Sequence, residues 1–141
     1  PFTPPLPVIH ALQASVQMIL AQGLPARFAH HRRLGQAARE GVAAMGLRLF
    51  ADPRHASDTV TAVRVPDGVD ARELVRRLRT DHGVVVAGGQ GRLEGRIIRI
   101  GHMGYVQEAQ VDAALRGLAE VLPALGHPVP GAGPTAGLEG A

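Results

Sequence analysis

The 141-residue chain contains no cysteine, no lysine and no tryptophan. Without cysteine it can form no disulfide bond, thiol nucleophile or cysteine-ligated zinc site. All 15 basic residues are therefore arginines, and 12 acidic residues nearly balance them, leaving a net charge of only +3. Aromatic side chains are limited to three phenylalanines and one tyrosine. Because single-stranded nucleic acids are bound by basic grooves with interleaved aromatics, this composition indicates no nucleic-acid partner.

Long apolar runs are missing as well. No stretch approaches the roughly 20 residues that a membrane span needs, and the longest, residues 16–20, is interrupted by Gln17. The proline-rich start has neither the basic segment nor the cleavage site of a signal peptide. These absences predict a cytoplasmic protein with no membrane partner. Because the chain begins at Pro1 rather than at methionine, we expect a fragment or a processed product.

The order of helical and alternating patterns predicts an α+β fold. Apolar residues at helical spacing predict helices at 7–22, 24–45, 71–82 and 107–122. Short β-branched or alternating segments predict strands at 47–50, 59–65, 84–87 and 96–100. The order α-α-β-β-α-β-β-α favours one domain at 1–122, with a small, mostly antiparallel sheet covered by helices. Residues 123–141 are rich in proline and glycine and predict a flexible tail.

Local signals support two of the helices. The first has a broad apolar face, formed by Val8, Ile9, Leu12, Val16, Ile19 and Leu20. The third is predicted to begin after Asp70, with Glu73 completing a capping box, and to end at Gly83.

Arg99 is the main candidate for a binding residue. It lies in the apolar strand Arg-Ile-Ile-Arg-Ile-Gly at 96–101, where alternation places it on the same face as Ile97 and Gly101. A guanidinium in such a strand requires an anion, and its planar fork fits a carboxylate. From the residues alone, a structural ion pair with a local acid or an exposed position is the more ordinary explanation of Arg99.

Two other features carry weaker signals. The glycine-rich segment 88–95 could bring backbone amides to an anion, but no helix follows it, as phosphate-binding loops require, and a flexible connection between strands also explains it. His30 and His31 are adjacent on a helix and point about 100° apart, so they do not form a chelating pair. The pair His102-Met103 lies next to a strand end, and a loop position accounts for it. We therefore expect no metal site.

Three segments together resemble the C-terminal region of class V, fold-type I aminotransferases of the alanine–glyoxylate and serine–pyruvate type. They are Thr-Pro-Pro at 3–5 before a long helix, Thr-Val-Thr-Ala-Val at 59–63 with Val-Pro-Asp-Gly at 65–68, and Gly-Gly-Gln-Gly at 88–91 with Gly-Arg-Ile-Ile-Arg-Ile-Gly-His-Met-Gly at 95–104. This group includes proteins often labelled as the small subunit of a soluble hydrogenase. The resemblance covers residues 2–122.

The resemblance implies a role for two residues. Arg99 matches the arginine that binds the α-carboxylate of the substrate, and Thr3 matches a residue that reaches the cofactor phosphate of the neighbouring subunit. The cofactor would be pyridoxal 5'-phosphate, held mainly by a large N-terminal domain that this chain does not contain. Because the family's Schiff-base lysine has no counterpart in a lysine-free chain, no catalytic residue is expected here. His102-Met103 replaces an aliphatic pair of some relatives, which leaves the substrate open.

The resemblance thus predicts a domain of a homodimeric transaminase that is inactive alone. The complete enzyme would move an amino group between alanine or serine and a 2-oxo acid, glyoxylate or pyruvate. Two alternatives remain: a stand-alone regulatory domain that binds an amino acid through Arg99, and a purely structural or dimerisation piece built on the first two helices.

Overall fold

The computed structural model of the protein describes residues 4–130. Two predictions therefore lie outside the described residues: the role of Thr3, and the part of the expected tail at 131–141.

The described chain is an α+β domain with the predicted order of elements. Its helices are α1 (Leu6–Gln22), α2 (Leu24–Ala44), α3 (Ala71–His82) and α4 (Glu108–Ala124), and its strands are β1 (Val60–Arg64), β2 (Ala87–Gly88) and β3 (Ile97–Gly101). The strands form one sheet in the order β1-β3-β2 with both pairs antiparallel. This architecture confirms the predicted fold class.

Two predicted strands are shorter than their sequence pattern indicated. Segment 47–50 joins the sheet through a single bridge between Leu49 and Val63, and segment 84–87 contributes only Ala87 to β2. Both segments follow helix ends, whose free carbonyls capture the first amides. The Leu47 amide donates to Val42 O at 3.2 Å, and the Val84 amide donates to Leu78 O at 2.9 Å. Leu47 and Val84 therefore complete the hydrogen bonding of a helix end, and strand pairing begins only after them.

The core lies between one face of the sheet and the helices. Ile98 and Ile100 of β3 and Val63 of β1 face inward, as the period of two requires. They meet Leu74 and Leu78 of α3 and a stripe of α4. The buried members of this cluster are Val42, Met45, Leu47, Val63, Leu74, Leu78, Val86, Ile98, Ile100, Ala114, Leu118, Val121 and Leu122. The helices cover this face; on the opposite face Ile97 is buried and Arg99 is half-buried.

The start of α3 differs in one detail from the predicted capping box. The Asp70 carboxylate accepts hydrogen bonds from the backbone amides of Arg72 and Glu73, at 2.8 and 3.3 Å, so Asp70 is the predicted N-cap. Glu73, however, turns forward along the helix and pairs with Arg76 and then Arg77. These bonds lower the pKa of Glu73 to about 2. If Glu73 bonded the Asp70 amide instead, it would lose both guanidinium partners, which explains why the capping box does not form.

Helix α1 is exposed along its whole length. It packs on α2, yet none of its residues is buried, and it carries no acidic or basic side chain except His10. Leu12 is 62% exposed and Leu20 is 70% exposed. Leu24 and Phe28 at the start of α2 are exposed too. No helix among residues 4–130 combines the length and apolar character of a membrane span.

The first residues of the predicted tail belong to the folded domain. Pro123 lies inside α4, which ends at Ala124 rather than at Leu122. Leu125 and Val129 are partly buried and pack on the main core. Pro123 is tolerated because only the last turn of the helix follows it.

Candidate functional site

Arg99 lies on the face of the sheet that the helices leave uncovered. In β3, Ile98 and Ile100 point into the core, so Arg99 between them points to the opposite face. Register places Ala62 of β1 and Ala87 of β2 directly beside it. Both neighbours end at a methyl group, so neither reaches over the guanidinium. Arg99 therefore rises from a floor of small side chains and is half-buried.

The Arg99 guanidinium has one protein partner in the described chain. Its Nε donates to the carbonyl oxygen of Gly88 at 3.2 Å. No carboxylate in residues 4–130 lies within 4.0 Å of it. The other half-buried arginines all have side-chain partners: Arg27 bonds Gln22, Arg39 pairs with Asp58, and Arg77 pairs with Glu73. Arg99 thus presents free N–H groups that suit a carboxylate.

The glycine-rich segment 88–95 forms the connection between β2 and β3. A short 3₁₀ turn, Gly91–Leu93, lies at its centre. Backbone amides within the segment donate to its own carbonyls: Leu93 to Gln90 O and Glu94 to Gly91 O, each at 3.0 Å. The Arg96 amide then donates to Leu93 O at 3.0 Å. These three amides are already bonded and are therefore not available to an anion.

His102 forms a buried network at the end of β3 that the sequence analysis did not identify. The ring is fully buried. Its Nε2 is 2.9 Å from the Thr61 hydroxyl, and its Nδ1 is 3.1 Å from the Asp58 carbonyl oxygen. A carbonyl only accepts, so Nδ1 carries the proton and Nε2 accepts from Thr61. Burial is the main reason that the pKa of His102 is lowered, and the nearby positive charge of Arg39 lowers it further.

His30 and His31 bind backbone carbonyls. His30 Nε2 is 2.9 Å from Val106 O, and His31 Nδ1 is 3.0 Å from His102 O. Within residues 4–130 there is no group of three or more His, Asp or Glu side chains that could hold a metal ion. These two rings instead attach α2 to the segment after β3. For the His102 network described above, the sequence did contain a signal: the alternation of inward-facing residues continues from Ile98 and Ile100 to His102.

Known proteins resemble the chain in both sequence and structure. It is 42% identical over 135 residues to the soluble hydrogenase small subunit of Synechococcus sp., covering 94% of this chain and 35% of that protein. It is 37% identical over 130 residues to the serine–glyoxylate aminotransferase of Arabidopsis thaliana, covering 92% and 32%. No protein-family model matches the chain.

A solved structure shares the fold closely. The pyridoxamine–pyruvate aminotransferase from Mesorhizobium loti aligns with a TM-score of 0.88 and 40% identity, covering 92% of this chain and 33% of that one. The chain therefore spans about a third of the length of the proteins that it matches.

Proposed function

Because the chain belongs to the class V aminotransferases and matches their C-terminal domain, we propose that it is the substrate-carboxylate-binding domain of a pyridoxal-phosphate-dependent transaminase. The complete protein would transfer an amino group between a small amino acid, alanine or serine, and a 2-oxo acid, glyoxylate or pyruvate. Relatives that are named for glyoxylate or pyruvate support the choice of 2-oxo acid. Both oxo acids carry a carboxylate beside the reacting carbon, which Arg99 would bind.

The observation that carries the proposal is the unpaired state of Arg99. Its guanidinium is half-buried, has no acidic partner in residues 4–130, and lies on the open face of the sheet. A desolvated cation without an anion is unfavourable, and a bound carboxylate would relieve that cost. A bidentate pair would also fix the orientation of the substrate, so that its α-carbon is held at one place relative to the reacting groups.

The cofactor requires groups that this chain does not supply. When bound, pyridoxal phosphate serves as an electron sink for the substrate's α-carbon, and a lysine holds it as a Schiff base. The chain has no lysine, and the Leu93 and Glu94 amides of its glycine-rich segment are bonded within a turn. The described residues therefore do not fit a cofactor site by themselves. We propose that the remaining part of the full-length protein holds the cofactor, with Thr3 reaching its phosphate in the neighbouring subunit.

The exposed face of α1 supports an extensive contact with protein outside this chain. Side chains such as Leu12 and Leu20 are more than half exposed, and no carboxylate or guanidinium interrupts the helix. Contiguous apolar surface of this kind usually marks an interface. We propose that α1 packs on the remaining part of the full-length polypeptide within a homodimer, and that this chain alone is inactive.

Turnover by the complete protein tests the proposal. With serine or alanine as donor, the absorbance of the bound cofactor should shift as the amino group transfers, and glyoxylate or pyruvate should restore it. The 141-residue chain mixed with the same reagents should show no turnover. Amino-acid binding by the chain, combined with no transamination by the complete protein, would instead support the regulatory alternative.

A further inference from the structure

The carbonyl of Gly88 determines which edge of the Arg99 guanidinium is available. A guanidinium can grip a carboxylate along its Nε–Nη2 side or across its two terminal nitrogens. Here Nε donates to Gly88 O at 3.2 Å. Gly88 belongs to β2 and pairs with Ile98, next to the Ala87–Arg99 pair. The acceptor is therefore fixed by the sheet, and the terminal nitrogens are left for a ligand.

We propose that the Gly88 carbonyl is a positioning group for Arg99, and that Gly89 is required to keep it in place. This inference rests on the proposed function, since it assigns the orientation in which Arg99 meets the substrate carboxylate. The Nε bond turns the guanidinium so that its two terminal nitrogens face outward from the sheet. The substrate carboxylate binds across that end, and the Gly88-Gly89 pair at the end of β2 sets its direction.

Gly89 can hold no side chain without moving the strand. A Cβ at this position would overlap the carbonyl of Leu93 and lie 3.0 Å from Ile97 Cγ1. The Leu93 carbonyl cannot easily swing away, because it accepts the Arg96 amide at 3.0 Å. A methyl group would therefore strain the backbone at Gly89, whose amide is bonded to Ile97 O at 2.9 Å. A shift there draws the adjoining Gly88 carbonyl away from Arg99.

Gly88 offers a matched control one residue away. A Cβ at Gly88 would meet nothing within 4 Å, and its backbone lies outside the left-handed region. Gly88→Ala therefore adds the same methyl group while leaving the carbonyl in place. The two glycines are adjacent and identical in sequence, but only Gly89 lacks room for a side chain.

A double-mutant cycle in the complete transaminase tests the proposal. The set is the parent, Gly89→Ala, Gly88→Ala, Arg99→Lys and the Gly89→Ala/Arg99→Lys pair, each checked for cofactor absorbance and melting temperature. Gly89→Ala should raise KM for the 2-oxo acid about 10- to 150-fold, the value of one hydrogen bond to a charged group, with kcat near that of the parent. Gly88→Ala, which keeps the carbonyl and meets no neighbour, should raise KM less than Gly89→Ala does. In the Arg99→Lys background, Gly89→Ala should cost less than about twofold, because the group it positions is gone.

The outcomes separate the two claims. An equal cost of Gly89→Ala in both backgrounds, or a loss confined to kcat, would overturn the positioning role. Arg99→Lys at the parent rate would overturn the proposed function itself. If Gly89→Ala does not fold, the parent protein can still test the bond between Arg99 and Gly88. By NMR, the Arg99 Nε proton should exchange with solvent more slowly than the Nε proton of the exposed Arg48. Equal exchange rates would contradict the bond to Gly88.

Discussion

The buried imidazole of His102 gives a sharp test of the folded structure. His102→Leu keeps a side chain of similar size but removes both ring nitrogens. The Thr61 hydroxyl and the Asp58 carbonyl oxygen then lose their partner. Each unsatisfied buried group costs about 1–3 kcal/mol, so the substitution should lower the free energy of unfolding by about 2–5 kcal/mol. Urea denaturation of the chain at pH 8, followed by circular dichroism, measures this change.

Removing the hydroxyl as well should recover part of the loss. Thr61→Val alone leaves the His102 Nε2 without a donor and should cost about 1–3 kcal/mol. In the double variant neither group is orphaned, so its cost should be smaller than the sum of the single costs by about 1–2 kcal/mol. Strictly additive costs would mean that the hydroxyl and the ring do not interact, and would refute the network.

The same network predicts how stability depends on pH. Burial lowers the pKa of His102 below its ordinary value of about 6.5, so the unfolded chain takes up a proton before the folded chain does. The free energy of unfolding should therefore fall as pH drops through about 6.5 toward the folded pKa, with a slope from this group of at most about 1.4 kcal/mol per pH unit. His102→Leu should lack this part of the slope. A parent chain whose stability rises on acidification over that range would contradict a neutral buried ring.

Two further stability predictions follow from helix ends. Asp70→Ala removes the acceptor for two amides at the start of α3 and should lower the free energy of unfolding by about 0.5–2 kcal/mol, measured by urea denaturation. As a control, Asp67→Ala in an exposed turn should change it by no more than about 0.5 kcal/mol. Equal effects of the two substitutions would argue against the cap. Deleting residues 131–141 should leave the melting temperature nearly unchanged, whereas deleting 125–141 should lower it by several degrees, because Leu125 and Val129 pack on the core. A large drop from the shorter deletion would show that 131–141 contribute to folding.

Strand periodicity predicted the position of Arg99, and helix periodicity predicted the helices. A period of two placed Arg99 beside Ile97 and Gly101 on one face, and the register of β3 has that arrangement. The same reasoning extended strands into segment 47–50, where apolar and polar residues alternate, and into 84–87, where β-branched residues are frequent. It could not foresee that helix carbonyls would capture the amides of Leu47 and Val84, because that competition is decided by tertiary geometry.

Backbone groups and missing neighbours were beyond sequence reasoning. The Gly88 carbonyl has no signature in the sequence, since every residue carries a carbonyl. Likewise, the apolar period of α1 predicts a helix but does not reveal that residues 4–130 leave its face uncovered. For His102 a signal existed, because Ile98, Ile100 and His102 share one face. Histidine at a strand end suggested a loop more strongly than a core position.

The half-reaction rate of Arg99→Lys in the complete protein tests whether Arg99 binds the substrate carboxylate, as we propose. Lysine keeps the charge but replaces a planar fork with a point donor. The loss of one charge-assisted hydrogen bond should cost about 2–3 kcal/mol, or about 30- to 150-fold in kcat/KM, for the amino acid and the 2-oxo acid alike. Arg99→Ala should lose more, and cofactor binding should be nearly unchanged. Rates close to the parent's for both variants would show that Arg99 is a structural arginine and would contradict the account.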